Sequence, residues 1–151
     1  MDRTIKFRAK RLDDPSHPWV EGFLMPYTKN NKAEMWIMPK VTASSIYGWH
    51  VDVDTISQFT GMYDKNGREV WEGDIVKYRT TDERFKKNPQ YVNLVINYDE
   101  HTARFQAGNI YSRYLRSSVI EVIGNIYDNL DLLEERNRYR VVNHEKKYFI
   151  D

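Results

Sequence analysis

Along much of this chain, apolar and polar positions alternate with a period of two. Ile5, Phe7 and Ala9 are separated by Lys6, Arg8 and Lys10, the pattern of a strand with one buried face. Pro15 and Pro18 mark a turn-rich entry to Trp19-Val20-Glu21-Gly22-Phe23-Leu24. A polar tip, Lys29-Asn30-Asn31-Lys32, leads on to Met35-Trp36-Ile37-Met38, which predicts a hairpin of two apolar strands. A short strand is expected at His50-Val51-Asp52-Val53.

The middle of the chain is punctuated by glycine. Asn66-Gly67 lies between two aromatic-bearing segments and tolerates the positive φ of a tight hairpin turn. Gly73-Asp74 makes a second turn, with the Asp74 side chain capping it, and Ile75–Arg79 is the following strand. Residues 80–90 are polar and unpatterned, a long exposed loop. Tyr91–Tyr98 resumes as a strand, Asp99-Glu100-His101 turns it, and Ala103–Ala107 returns. Val119–Tyr127 is a strand pair or one bent strand, with Gly124 allowing a bulge. Helical spacing is confined to Asn129–Arg136. The tail, Arg138–Val142 and Lys147–Ile150, reads as a last hairpin or as an extension that pairs with another chain.

The fold class is therefore mainly β. Short strands over about residues 69–128 predict an SH3-like small barrel, or a partly open one, packed against an N-terminal β layer and followed by one short helix. The regions are 1–60, 61–128 and 129–151, or all three form one compact unit.

Composition narrows the function. The 151 residues contain no cysteine, which excludes disulfides, thiolate metal sites and thiol catalysis. The formal net charge of +1 argues against a general polyanion binder. The N-terminus has no apolar stretch of the signal-peptide kind, and no apolar run approaches the roughly 20 residues of a membrane span. A cytoplasmic protein with no membrane association is expected. Aromatics reach 14%, more rings than a small β core needs.

Gln58–Lys77 carries a Thr-Gly at Thr60-Gly61, an Asp-Lys-Asn-Gly at Asp64–Gly67, and Trp71-Glu72-Gly73-Asp74-Ile75-Val76. Much later comes Gly124-Asn125-Ile126-Tyr127. Together with the opening Ile5-Lys6-Phe7-Arg8-Ala9, these segments resemble the signature of the YopX family of phage and prophage proteins. Trp71 stands where the family pattern has Tyr, and the tail from Asn137 lies outside it. The resemblance implies a mainly β, phage-associated protein and carries over no catalytic residue or cofactor.

Candidate sites are few. Lys6, Arg8 and Lys10 share one strand face and could follow phosphates; a solvated outer face, or an edge strand guarded by charge, explains them more simply. Arg84, Lys86 and Lys87 surround Phe85 in the long loop, a mixture suited to single strands, although mobile loops of this composition are commoner. Arg113 to Arg116 and Arg136 to Arg140 raise the same question. Asp52 and Asp54 would share a strand face, with no third ligand near. His17, His50, His101 and His144 are scattered, and no phosphate-cradling glycine loop or nucleophile elbow is present. Phe7, Trp19, Phe23, Trp36, Phe59, Trp71, Tyr98 and Phe105 fit strand interiors. The remaining rings favour an interface, and Tyr139, Val141, Tyr148 and Phe149 are the candidate contacts of a homo-oligomer. Asn66, Gly67, Gly73 and Asp74 are structural turns. The reading is a phage-derived, non-enzymatic protein that acts by binding and self-association, without cofactor. Its alternative is a nucleic-acid-binding accessory protein.

Overall fold

The structure, a computed structural model, describes residues 4–16, 18–39, 47–79, 90–108 and 116–134. The chain divides into two compact units, residues 1–61 and 62–151.

In the first unit, β1 (Phe7–Lys10), β2 (Trp19–Lys29), β3 (Lys32–Met38), β4 (Trp49–His50) and β5 (Ser57–Tyr63, which runs past Gly61 into the second unit) are all antiparallel to their neighbours. Their order is β4-β3-β2-β1-β5, so the first strand in sequence is interior and its charges guard no edge. Asn30 and Asn31, with φ of 50° and 61°, turn the β2–β3 hairpin between the paired Lys29 and Lys32. The left-handed conformation suits asparagine, whose short side chain tolerates it. After β4 the chain reaches back to the end of β1. Arg11 bridges Val51, Asp52 N donates to Lys10 O at 2.8 Å, and Leu12 N donates to His50 O at 3.0 Å. Ala9, Ile37 and Val51 form the core inside this curl, with Phe7, Val20, Leu24, Met35, Trp49 and Ile56 packed against them. Asp52 and Asp54 do not share a strand. The Asp52 carboxylate accepts the Asp54 N–H at 3.1 Å and caps a 3-10 turn at Val53–Thr55.

The second unit takes up the end of β5 and adds β6 (Glu69–Trp71), β7 (Asp74–Arg79), β8 (Tyr91–Asp99), β9 (Arg104–Ala107) and β10 (Ile120–Asn125). Four of these make an antiparallel sheet in the order β10-β7-β8-β9. Ile75 and Val76 on the interior strand β7 are both fully buried, because neighbours cover both faces. Val70, Val76, Tyr78, Ile96, Ala107, Ile120 and Val122 form the core, joined by Met62, Leu94 and Val119. β10 is one bent strand, with its register shifting between Val122 and Gly124.

Three further expectations change. The four-stranded sheet does not close into a barrel among the described residues. β9 pairs only with Ile96–Asp99, and β9 and β10 stand at opposite edges. In place of a helix over Asn129–Arg136, the described part holds a 3-10 turn at Leu130–Leu132, and Leu133 is extended. A helix so short is marginal alone. Here the buried Leu133 and the Asn93 Nδ2 bond to Leu132 O, 2.8 Å, set the backbone instead. Finally, of the eight aromatics assigned to the interior, Phe59 and Trp71 are buried, while Phe23 is 57% and Tyr98 42% exposed. The run Phe23-Leu24 is apolar on both strand faces, and the core takes the face of Val20 and Leu24. Tyr98 instead makes an edge-on contact with Phe105 on β9, centroids 5.3 Å apart.

Close backbone approach makes one glycine irreplaceable. A Cβ at Gly22 would lie 2.1 Å from the Met38 carbonyl oxygen, so β2 and β3 would have to separate. We expect Gly22→Ala to lose about 3 kcal/mol in urea denaturation, at the upper end for overpacking. Gly67→Ala meets nothing within 4 Å, and its φ of +79° gives a smaller expected loss of about 1–2 kcal/mol. Gly67→Asn should recover part of it.

Candidate binding surface

Side chains alternate across a strand, so the sheet of the first unit has an outer face directed away from Ala9, Ile37 and Val51; it is open at Phe23 and Tyr27 and covered at Ser57, Phe59 and Met38, which lie on the same face and are buried. Arg8 is paired with Glu21, and Lys10 with Trp19. The predicted stripe of Lys6, Arg8 and Lys10 therefore lies together, on this face. Each cation is seated on a ring or a carboxylate. Lys6 Nζ bonds Glu21 Oε2 at 2.8 Å and lies 5.2 Å from the Phe59 ring centre. The Arg8 guanidinium and the Lys10 ammonium lie 4.9 and 5.6 Å from the centre of Trp19. Such contacts contribute about 0.5–1 kcal/mol each where water has access.

Aromatics continue the face outward. Phe23 and Tyr27 follow Trp19 at every fourth residue of β2, and both are exposed, at 57% and 46%. Trp36 pairs with Met25 between them and makes an edge contact with Tyr27 at 6.1 Å. Its ring also stacks on His50 of β4, centroids 5.7 Å apart and planes 15° from parallel. The indole N–H of Trp36 donates to Glu34 Oε2 at 3.1 Å. The aromatic half of this surface was not assigned to a site from sequence. The signal was present in the period-four spacing of Trp19, Phe23 and Tyr27, but a strand interior explained Trp19 and Phe23 equally well, and Tyr27 fell among the remaining rings read as favouring an interface.

Arg84, Lys86 and Lys87 lie outside the described residues, as do Tyr139, Val141, Tyr148 and Phe149. Asn66, Gly67, Gly73 and Asp74 fall in a polar lattice within the second unit. Its centre is Asp64, only 4% exposed. One carboxylate oxygen accepts the N–H groups of Asn66 and Arg68, at 2.8 and 2.9 Å. The other reaches across to the N–H of Val122 on β10, at 2.9 Å. Arg68 Nη1 returns a bond to Val122 O at 3.1 Å, and Lys65 Nζ pairs with Glu121 at 2.5 Å. Asp74, 1% exposed, accepts the N–H of Trp71 at 2.8 Å and closes its turn. Gly73 joins two distant segments. Its N–H donates to Ile96 O at 2.8 Å, and its carbonyl accepts the N–H of Ile126 at 2.9 Å. Asn125 caps the next turn, its Oδ1 accepting from Tyr127 and Asp128 at 2.9 and 3.0 Å.

Residues 6–134 match a family model described as YopX protein. The chain belongs to the YopX family. Among solved structures it is similar to protein EF1440 from Enterococcus faecalis, known from a crystal structure. The two are 27% identical with a TM-score of 0.52, over 88% of this chain and all of the other. No curated protein matches the chain.

In this YopX chain the signature residues are therefore joints of the fold. Asn66 and Gly67 form the turn on Asp64, Asp64 binds that turn to β10, and Gly73 meets Ile126 of the later motif. Among the described residues, no three His, Cys, Asp or Glu side chains gather where they could hold a metal ion, and no helix is long and apolar enough to cross a membrane.

Burial alone would raise the Asp64 carboxyl above the ordinary carboxylate range. The N–H groups of Val122, Arg68 and Asn66 outweigh that and hold it below. A carboxyl whose folded value is depressed stabilises the fold above its unfolded value, about 3.9, and loses that contribution as pH falls through the folded value. We expect acid unfolding of the native chain below about pH 4 to carry this component. Asp64→Asn, which cannot titrate, should be about 2 kcal/mol less stable at pH 7 and show a flatter acid limb in urea melts between pH 2 and 7. An equally steep limb in the variant would remove Asp64 as its source.

Proposed function

We propose that this YopX-family protein is phage- or prophage-encoded and works in the host cytoplasm by binding rather than by catalysis. The observation that carries the reading is the outer face of the first sheet. Phe23 and Tyr27 stand in water there beside Trp36, in a fold that already buries other rings. Exposed apolar clusters with a polar rim mark interaction sites on soluble proteins. The lattice around Asp64 and Asp74 spends its carboxylates on backbone N–H groups, which is what a structural joint requires. The second unit is read as a partly open, SH3-like sheet that supports the motif turns.

The reading includes self-association. In the tail sequence, Tyr139 and Val141 are two residues apart, the spacing of a strand face, and Tyr148-Phe149-Ile150 follows. Apolar segments of this kind suit pairing with the sheet of a second copy. Light scattering on the full chain is expected to give a multiple of the monomer mass, and removal of residues 137–151 to lower it. A full chain that stays at the monomer mass across the micromolar range would overturn self-association. An unchanged multiple after truncation would take the tail out of it.

A further inference from the structure

We propose that Asn66 is a site of spontaneous main-chain modification, deamidation to aspartate and isoaspartate, gated by the hydrogen bonds of the Asp64 turn. It lies apart from the binding surface and acts on the joint of the second unit.

Asn66-Gly67 is the single Asn-Gly pair in the chain, and both residues are exposed. The Gly67 backbone nitrogen gives its proton to hydroxide and attacks the Asn66 side-chain carbonyl carbon, Cγ. A C–N bond forms, the Cγ–Nδ2 bond breaks, and ammonia leaves with a proton from water, closing a succinimide ring. Water then adds to either ring carbonyl and one C–N bond opens, giving aspartate or isoaspartate. Nothing is oxidised or reduced. Glycine has no Cβ to obstruct the ring. A Cβ added at Gly67 would meet nothing within 4 Å, so water and hydroxide have room to approach the peptide.

The folded turn holds the reaction back. The attacking nitrogen is already engaged, since Gly67 N–H donates to Asp64 O at 3.0 Å. The flanking peptides are pinned as well. Asn66 N–H and Arg68 N–H share one Asp64 carboxylate oxygen, at 2.8 and 2.9 Å, and Asp64 N–H donates to Arg68 O at 2.8 Å. A turn closed by such an i to i+3 bond holds its third residue, here Asn66, at a ψ of about 0°. Bringing Gly67 N onto Cγ takes a large rotation from there and breaks the set. Reaction therefore proceeds from the opened turn, at a rate proportional to its population. Opening is coupled to β10, because the second Asp64 oxygen accepts Val122 N–H at 2.9 Å and Arg68 Nη1 donates to Val122 O at 3.1 Å.

The change runs one way. Isoaspartate adds a methylene to the main chain between the two residues, so the bonds from Gly67 and Arg68 to Asp64 no longer form together. It also sets a new carboxylate beside the old one. A buried Asp64 left short of donors then destabilises the turn it had secured. Modification at one exposed residue thus loosens the joint between the turn and β10.

Incubating the full chain at mildly alkaline pH and mapping its peptides by mass spectrometry tests this. The mass gain of amide to acid is expected at Asn66 and not at Asn30 or Asn31, which are also exposed in a turn but are followed by residues with side chains. In urea, where the turn stays open, conversion should run roughly a hundredfold faster or more. Dividing each variant's rate by its own rate in urea removes the intrinsic chemistry. On that scale Asp64→Asn should react about thirtyfold and Arg68→Ala about fivefold faster than the native chain, from the bonds each removes. Arg68→Ala alters an exposed residue and still reads the gate should Asp64→Asn fail to fold. Earlier product at another asparagine, a folded rate equal to the urea rate, or variants on the native ratio would each overturn the gated site. So would an Asn66 amide that stays intact in every folded chain long after the urea samples have converted. The modified chain, separated by its added negative charge, should unfold at lower urea than the native one, and an equal midpoint would overturn the loosening.

Discussion

The second unit depends on one carboxylate. Asp64 sits in the turn after β5, where a charged side chain would ordinarily project into water, yet it is buried. Burying an ionised group is costly unless it is fully hydrogen-bonded. Three backbone N–H groups meet that requirement here, and they belong to two places, the hairpin turn and β10, more than fifty residues apart. The turn is thereby locked to the sheet, and Val122 is held where the register of β10 changes. Gly73 repeats the logic without charge, since its backbone serves both Ile96 and Ile126. A side chain at Gly73 would press to 3.2 Å against Tyr127, and its φ of +77° excludes most residues from the turn.

This accounts for the signature that marks the YopX family in this chain. Residues dense in Asn, Gly and Asp invite a search for chemistry, and here their polar atoms are occupied by the backbone. Exposed rings stand in both units, at Phe23 and Tyr27 in the first and at Tyr91 and Tyr98 in the second. The sheet of the first unit presents one apolar side to Ala9, Ile37 and Val51, and on the other a surface of rings and cations, held by pairings such as Lys10 with Trp19. The joints of the second unit and the exposed rings of the first are different residues. The joints can therefore tolerate little change while the ring surface is altered at small cost to the fold.

Much of this was legible in the chain because it is local. Alternation placed β1, β7, β8 and β9, the Asn-Gly and Gly-Asp pairs placed their turns, and Gly124 marked the irregular end of β10. The basic stripe of Lys6, Arg8 and Lys10 was legible as a face because period two puts every second residue on the same side. The length of the β2–β3 hairpin was less so. Pro26 and the polar Thr28 and Lys29 weaken the strand pattern, and only pairing with β3 carries it to the Asn30-Asn31 turn. The helical spacing after Asn129 failed for the converse reason, since a buried leucine and a bond from Asn93 outweigh the local preference.

Alternation, turn residues and motif spacing are enough for the mainly β class, the turns, the family and the set of residues that alternate. Tertiary structure alone decided which side of each strand is inside, that Asp64 and Gly73 reach across to β10 and the segment after it, and that Phe23 and Tyr98 stay in water. The physical reason is separation. Alternation and turn chemistry act over a few residues and are written into the chain. The burial of a ring or a carboxylate depends on neighbours tens of residues away, whose arrival no local pattern records.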